Sequence, residues 1–166
     1  DGRYSSNSTS DLRPEALEKF LDDTIAMTRL LAPDPHRRLP DPERYRDRYR
    51  GDLELFDPSV ANPDAAGERK KTAQALEAAV RDAGRTARIV SVTTTVSDTE
   101  GESALVCSNG MQGSQHRTSF VLVAECSIQG EGDRKPEGWD YAVCTHRAAL
   151  PAVDEVGRKA ASRAIQ

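Results

Sequence analysis

Long apolar runs and abundant cysteine are both missing from this sequence of 166 residues. No segment approaches the roughly 20 consecutive apolar residues of a membrane-spanning helix, and no charged-then-apolar signal segment opens the chain. The three cysteines, Cys107, Cys126 and Cys144, are widely spaced among strand-like residues. They resemble small buried hydrophobic residues more than a disulfide framework. We therefore expect no membrane contact, a reducing cytoplasmic location, and at least two buried thiols.

An excess of positive charge is missing as well. The chain has 23 Lys and Arg against 27 Asp and Glu, a net charge of -4 and a pI near 5.4. Affinity for nucleic acid depends mainly on a concentrated positive field that neutralises phosphates. The composition therefore argues against DNA or RNA as a direct ligand.

Two segments in the first half of the chain have the spacing of amphipathic helices. Pro14 suits a first helical turn, and apolar residues then recur every three or four positions, which predicts a helix over residues 14–31. A second helix is predicted from residue 63 or 64 to residue 83. The segment between them is rich in Pro and Arg, and its prolines prevent regular structure up to Pro42.

The second half of the chain alternates apolar and polar residues as strands do. A β-branched run predicts a strand over residues 89–96, followed by a break at 98–101 and another strand at 103–107. Asn109 and Gly110 then predict a type I′ hairpin turn. The next strand, residues 119–128, places five apolar residues on one face: Phe120, Leu122, Ala124, Cys126 and Ile128.

A final strand and helix complete the pattern. Trp139, Tyr141 and Val143 alternate with less apolar residues, and a last helix is predicted over residues 152–165. This order predicts an α+β fold in which an antiparallel β meander packs with helices. We expect three parts: residues 1–32 as the end of a first subdomain, 33–57 as a Pro/Arg-rich linker, and 58–166 as a second α+β subdomain.

Metal-binding residue types do not form a recognisable set. A zinc peptidase needs two histidines one helical turn apart with an acid between them, and His36, His116 and His146 do not have that spacing. The best zinc candidate combines Cys126, Cys144 and His146, if the strands on either side of "GEGDRKPEG" pair as a hairpin. It lacks a fourth ligand and a close C-x-x-C spacing. Buried free thiols are the alternative interpretation of both cysteines.

Residue types for other chemistry are equally scattered. Ser108 and Ser114 lie near His116 in the sequence, but no orienting acid accompanies them, and turn formation explains Ser108 better. Neither "GMQG" nor "GEG" has the spacing of a phosphate-binding loop. We therefore assign no catalytic, cofactor-binding or metal-binding residue in this chain.

Several stretches, taken in order, carry a family resemblance. They are "STSDLRPEALEKFLDDTIAMTRLLAPDPHRRLPDPE", "DLELFDPS", "VSDTEGESALVCSNGMQGSQHRTSFVLVAE" and "GWDYAVCTHRAALPAVDEVGRKAASRAI". Each resembles the corresponding stretch of the TldD/PmbA family, the "modulator of DNA gyrase" or microcin-processing peptidases. The "D-P-x-x-x-L-P-D-P" and "G-W-D-Y" stretches look more like the PmbA (TldE) branch than the TldD branch.

The resemblance implies a bacterial, cytosolic protein with an N-terminal α/β region and a C-terminal β-rich domain. In the TldD branch that C-terminal domain carries a zinc-binding His-Glu-x-x-x-His motif and a Cys ligand, whereas the PmbA branch lacks the motif and pairs with TldD. We expect this chain to be part of such a larger two-domain protein, without its C-terminal metallopeptidase-like domain. Zinc is then expected in that domain or in the companion subunit, and not in this chain.

The expected function follows from the same resemblance. The chain is interpreted as a non-catalytic N-terminal domain that shapes substrate access and subunit contacts in peptide proteolysis. Its expected partners are a peptide or unfolded-protein substrate and a family companion subunit in a homo- or hetero-oligomer. The alternative is a free-standing protein-binding or regulatory module with no peptidase role.

The first prediction concerns metal content. Because three His and three Cys without ligand spacing cannot provide a tetrahedral site, the purified protein should bind no stoichiometric zinc. Elemental analysis after incubation with zinc and dialysis into zinc-free buffer measures this. About one tightly held zinc per chain would contradict the assignment.

Overall fold

The structure, a computed structural model, describes residues 2–166. Three helices and a three-stranded antiparallel sheet in this range confirm the predicted α+β fold. Single 3-10 turns lie at Pro42–Tyr45, Pro58–Ala61 and Arg147–Ala149. The helices and strands are α1 (Pro14–Arg29), α2 (Ala65–Ala83), β1 (Ile89–Val106), β2 (Gln112–Ile128), β3 (Glu137–Cys144) and α3 (Val153–Ile165).

The chain divides into two compact units. The smaller unit holds the residues up to Tyr49 together with the hairpin tip Cys107–Met111, and the larger unit holds Arg50–Val106 and Gln112–Gln166. The predicted boundaries after residues 32 and 57 remain predictions. Helix α1 in the smaller unit agrees with the predicted helix to within two residues, and none of its residues is buried.

The strands form a meander in the order β1-β2-β3. The predicted break at residues 98–101 is wrong, because β1 continues through it and Gly101 pairs with Arg117. The long partner strand β2 pairs with β1 without interruption from Ser91 to Val106, so the glycine and the acidic residues there do not end the strand.

The hairpin turn also differs from its prediction. A type I′ turn needs positive φ at both central residues. Only Gly110 has it, at 88°, and Asn109 does not. The Cys107 N–H donates to the Met111 carbonyl at 2.8 Å and the Gly110 N–H to the Cys107 carbonyl at 3.1 Å. The connection is therefore a three-residue loop whose last residue is in the left-handed region, the next most common hairpin geometry.

The hydrophobic core lies between one face of the sheet and the pair of helices α2 and α3. The five residues predicted to share a face of β2 are all buried, which confirms that alternation. Leu76 and Val80 from α2 and Val156 from α3 pack against four of them, Leu122, Ala124, Cys126 and Ile128. The contacting surface of α3 is otherwise made of small residues: Gly157, Ala160, Ala161 and Ala164.

Gly138 of β3 faces this small surface of α3. A Cβ atom added there would overlap the backbone of Ala160, Arg163 and Ala164. The close approach is between two backbones, so a side-chain rotation could not relieve the overlap. The sheet and α3 can therefore pack at this distance only while residue 138 is a glycine.

The second prediction tests this approach. Gly138→Ala should lower the free energy of unfolding by about 1–3 kcal/mol or more, because overpacking against backbone forces α3 to shift. Gly67→Ala in α2 is the matched control, since its Cβ would meet nothing within 4 Å. That control should raise stability by about 0.4–1 kcal/mol through reduced freedom of the unfolded chain. Urea denaturation compares the two, and equal stability of Gly138→Ala and the unchanged protein would contradict the packing argument.

Candidate functional site

The second face of the sheet, called the outer face here, carries large side chains that α2 and α3 do not cover. Trp139, Tyr141 and Val143 of β3 are 55%, 56% and 56% exposed. The two aromatic rings stack with centroids 5.6 Å apart. Val123 lies opposite Tyr141 and Val121 opposite Val143, and both valines are half-buried. The outer face therefore presents an apolar and aromatic patch along β3.

The free edge of β3 adjoins this patch. The Ile128 N–H donates to the Pro136 carbonyl at 3.0 Å, so even-numbered residues of β3 direct their backbone groups toward β2. Odd-numbered residues direct theirs to the other side, where the described residues contain no further strand of this sheet. The backbone N–H and C=O groups of Tyr141 and Val143 therefore point to an open edge.

One acceptor on that edge is occupied. The guanidinium of Arg163, from α3, donates to the Trp139 carbonyl at 2.6 Å and to the Asp140 carboxylate at 2.7 Å. Asp140 points toward α3 on the inner face, so the arginine reaches around the strand from the helix side. Arg163 thereby caps the edge at Trp139 and leaves Tyr141 and Val143 uncapped.

A buried carboxylate ties the larger unit together behind the sheet. The Asp98 side chain is 4% exposed and accepts from Arg69 at 3.1 Å and from Arg147 at 3.0 Å. Arg147 also donates to the Ser59 hydroxyl and carbonyl, each at 3.2 Å. A buried charge that is doubly paired in this way serves to hold β1, α2 and the segment before α3 in place.

A second carboxylate nearby caps a short helical turn. Asp57 accepts hydrogen bonds from the backbone N–H groups of Ser59 and Arg147, both at 2.8 Å. These two bonds lower the pKa of the Asp57 carboxyl, because they favour its charged form. Both acidic residues therefore act on the fold.

His116 does have an acidic partner that the sequence did not reveal. Its Nε2 lies 2.7 Å from the Glu100 carboxylate, and its ring stacks on Phe56 with centroids 4.1 Å apart. The predicted break at residues 98–101 hid this partner, because Glu100 reaches His116 only when β1 and β2 pair through that point. In the described range no serine hydroxyl bonds to His116, so the pair does not form a triad with Ser114.

The proposed zinc ligands are far apart. Cys126 lies opposite Gly138 and Cys144 opposite Phe120, six positions away along β2, so the hairpin does not bring the two thiols together. The Cys144 thiol donates to the Ala149 carbonyl at 3.3 Å. Within residues 2–166, no group of three His, Cys, Asp or Glu side chains is arranged to hold a metal ion.

The third histidine, His36, lies apart from the residues described above. His36 is in the Pro/Arg-rich segment, where its backbone N–H donates to the Asp34 carboxylate at 2.8 Å.

None of the helices in the described part of the chain combines the length and the apolar character required to cross a membrane.

The fold and its exposed surface define a class of protein. It is an α+β domain whose distinctive feature is a surface that combines an exposed aromatic patch with an open strand edge. The family model of the PmbA/TldA metallopeptidase central domain matches residues 61–166. Because this match covers more than half of the sequence, the chain belongs to the TldD/PmbA family.

Two solved structures resemble the chain over nearly its whole length. A proposed modulator of DNA gyrase from Bacteroides thetaiotaomicron is 34% identical, with a TM-score of 0.80 over 99% of this chain. Another proposed modulator, from Thermotoga maritima, is 15% identical with a TM-score of 0.62 and shows a similar fold. This chain spans 37% and 35% of the length of those two proteins. None of the curated proteins matches the sequence.

The third prediction concerns the thiols. Cys126 is buried, while Cys107 and Cys144 are only half-buried, so the expectation of at least two buried thiols is wrong. Burial raises the pKa of the Cys126 thiol, and the thiolate is the reactive form. In a variant with Cys107→Ser and Cys144→Ser, the remaining thiol should react with a maleimide only after unfolding.

The unchanged protein should then show two thiols that react in the native state and a third that reacts only in denaturant. Mass spectrometry of the labelled protein counts them. Rapid labelling of all three thiols in the native state, or a native disulfide, would contradict the placement of Cys126 on the buried face of β2.

Proposed function

We propose that this chain is a non-catalytic domain that recognises extended polypeptide at the outer face and free edge of β3. In a complete family protein, this surface shapes access of a peptide or unfolded-protein substrate to the peptidase site and contacts a companion subunit. The observation that carries the proposal is the open edge at Tyr141 and Val143 beside exposed aromatic rings.

A strand edge binds polypeptide through main-chain hydrogen bonds. Unpaired N–H and C=O groups accept another strand whatever its sequence, while side chains on alternate positions add selectivity. The two edge residues offer two donors and two acceptors spaced as in a strand, and the apolar patch provides area on the same side. A domain of this kind contributes to proteolysis by holding a substrate, with no reactive side chain of its own.

The remaining parts of the proposal concern the parent protein. We place the parent protein in the PmbA branch, in a bacterial cytoplasm, with any zinc held by a C-terminal domain or by the companion subunit. The matched family model is that of a metallopeptidase central domain, which supports a role within a peptidase. The role in substrate access and subunit contact rests on the surface described above.

A second candidate function is a regulatory module that binds another protein and has no peptidase role. It is supported by the two structural relatives, which are proposed modulators of DNA gyrase. The same open edge could bind a folded partner by strand addition. The two functions differ in the partner, because a substrate site accepts unfolded chains and a regulatory site selects one folded protein.

The fourth prediction tests the edge. Val143→Pro removes an N–H group that points away from β2, so the ladder between β2 and β3 should survive. Binding of an unfolded, strand-forming peptide should weaken about tenfold, because one backbone hydrogen bond is lost and the proline ring blocks approach. Isothermal titration measures the affinity, and circular dichroism verifies that the variant is folded.

The backbone amide signals in NMR spectra show where on the protein the peptide binds. In the unchanged protein, the peptide should shift the signals of Tyr141 and Val143, while those of the buried strand β2 move little. The hypothesis fails if the protein is monomeric at high concentration and its amide signals are unmoved by unfolded peptides and by the companion subunit. The sheet would then be regarded as a scaffold.

A further inference from the structure

The charges around Trp139 indicate which polypeptides the surface selects. Glu125 of β2 lies directly opposite Trp139, and Glu137 lies two residues before it on the same face of β3. Opposite residues in a sheet have Cβ atoms about 5 Å apart, so the indole stands among two carboxylates. Both glutamates are exposed.

These two carboxylates have no ionic or hydrogen-bonding partner within residues 2–166. Arg163, the nearest cation on the helix side, is paired with Asp140 and with the Trp139 carbonyl. Thr93, which faces Glu125 from β1, is neutral. Lys135 lies in the turn before β3 and forms no ion pair or hydrogen bond with either glutamate in the described part of the chain. Trp139 therefore lies in a locally negative part of the outer face.

The other end of β3 has the opposite character. Tyr141 lies opposite Val123 and Val143 lies opposite Val121, so the outer face changes from acidic to apolar along the strand. A strand added at the free edge would pair with Tyr141 and Val143 through its backbone. Its next side chain on this face would lie beside Trp139 without backbone pairing there, because Arg163 occupies the Trp139 carbonyl. The face thus has one position suited to a cation and the next two suited to apolar side chains.

We propose that the β3 surface selects extended peptides with a Lys or Arg side chain beside Trp139 and apolar side chains beside Tyr141 and Val143. The basic side chain lies across the indole face and reaches Glu125 and Glu137, combining cation–π attraction with two carboxylates. The inference rests on the proposed peptide recognition at this edge and adds the class of peptide.

The peptide is proposed to pair antiparallel with β3, because antiparallel pairing is slightly more stable per residue than parallel pairing. Antiparallel pairing with β3 places the peptide N-terminus near Val143 and its C-terminus near Glu137. The preferred order is therefore apolar, any, apolar, any, basic. The sequence Val-Thr-Val-Thr-Lys-Thr, acetylated and amidated, has this order and no terminal charges.

The test compares this peptide with versions in which Lys is replaced by norleucine or Glu. On the unchanged protein, the Lys peptide should bind about threefold to tenfold more tightly than the norleucine peptide, and the Glu peptide most weakly. In the double variant Glu125→Gln and Glu137→Gln, the Lys peptide should bind no more than about twofold more tightly than the norleucine peptide. Glu102→Gln, an exposed carboxylate elsewhere on β1, is the matched control and should keep it.

Four results would overturn the inference, and they separate it from peptide recognition itself. If all peptides bind equally, or if the Lys preference survives in the double glutamine variant, edge binding stands and the selection for a basic side chain is wrong. If an unacetylated norleucine peptide binds as tightly as the acetylated Lys peptide, the recognised cation is the terminal ammonium. If no peptide binds and the amide signals of Tyr141 and Val143 stay fixed, the proposed function fails as well.

Discussion

The close backbone approach of α3 to the sheet is the constraint on which the surface of this domain depends. Gly138 and the small residues of α3 let the helix lie directly on β3. No side chain fits between the two backbones at residue 138, so Gly138 must lie on the inner face. Because side chains alternate along a strand, Trp139, Tyr141 and Val143 then occupy the opposite face. The same approach brings Arg163 within reach of the strand edge. One packing distance thus determines both the exposed patch and the cap on the edge.

Much of the fold could be predicted because its signals are local. Helical spacing located α1, α2 and α3 to within about two residues, the ordinary precision of such boundaries, and the alternation in β2 identified its buried face. The continuity of β1 could not be predicted, since it depends on pairing with a strand that lies later in the chain. The ion pairs of Asp98 could not be predicted for the same reason, because its partners Arg69 and Arg147 are 29 and 49 residues away in the sequence.

The sequence predicted only part of the candidate site. Alternation along β3 predicted that Trp139, Tyr141 and Val143 share a face, and it could not say which face is covered. Hydrophobicity alone favours burying the aromatic residues, yet Asp140 and Ala142 face the helices instead. Arg163 makes this arrangement possible by pairing with Asp140, and that contact depends on α3. The acidic partner of His116 was hidden for a similar reason, as it required the register of β1.

An exposed aromatic patch beside an open strand edge is costly unless it has a use, since such edges promote uncontrolled association. Arg163 limits that risk by occupying the Trp139 carbonyl, and the unpaired Glu125 and Glu137 repel other acidic chains. Neither device closes the edge at Tyr141 and Val143. Arg163 blocks one end of the β3 edge, and the two glutamates charge only that end. Each feature discriminates between incoming chains, so the edge is suited to selective pairing. The features that protect this edge are therefore the ones that would give it specificity.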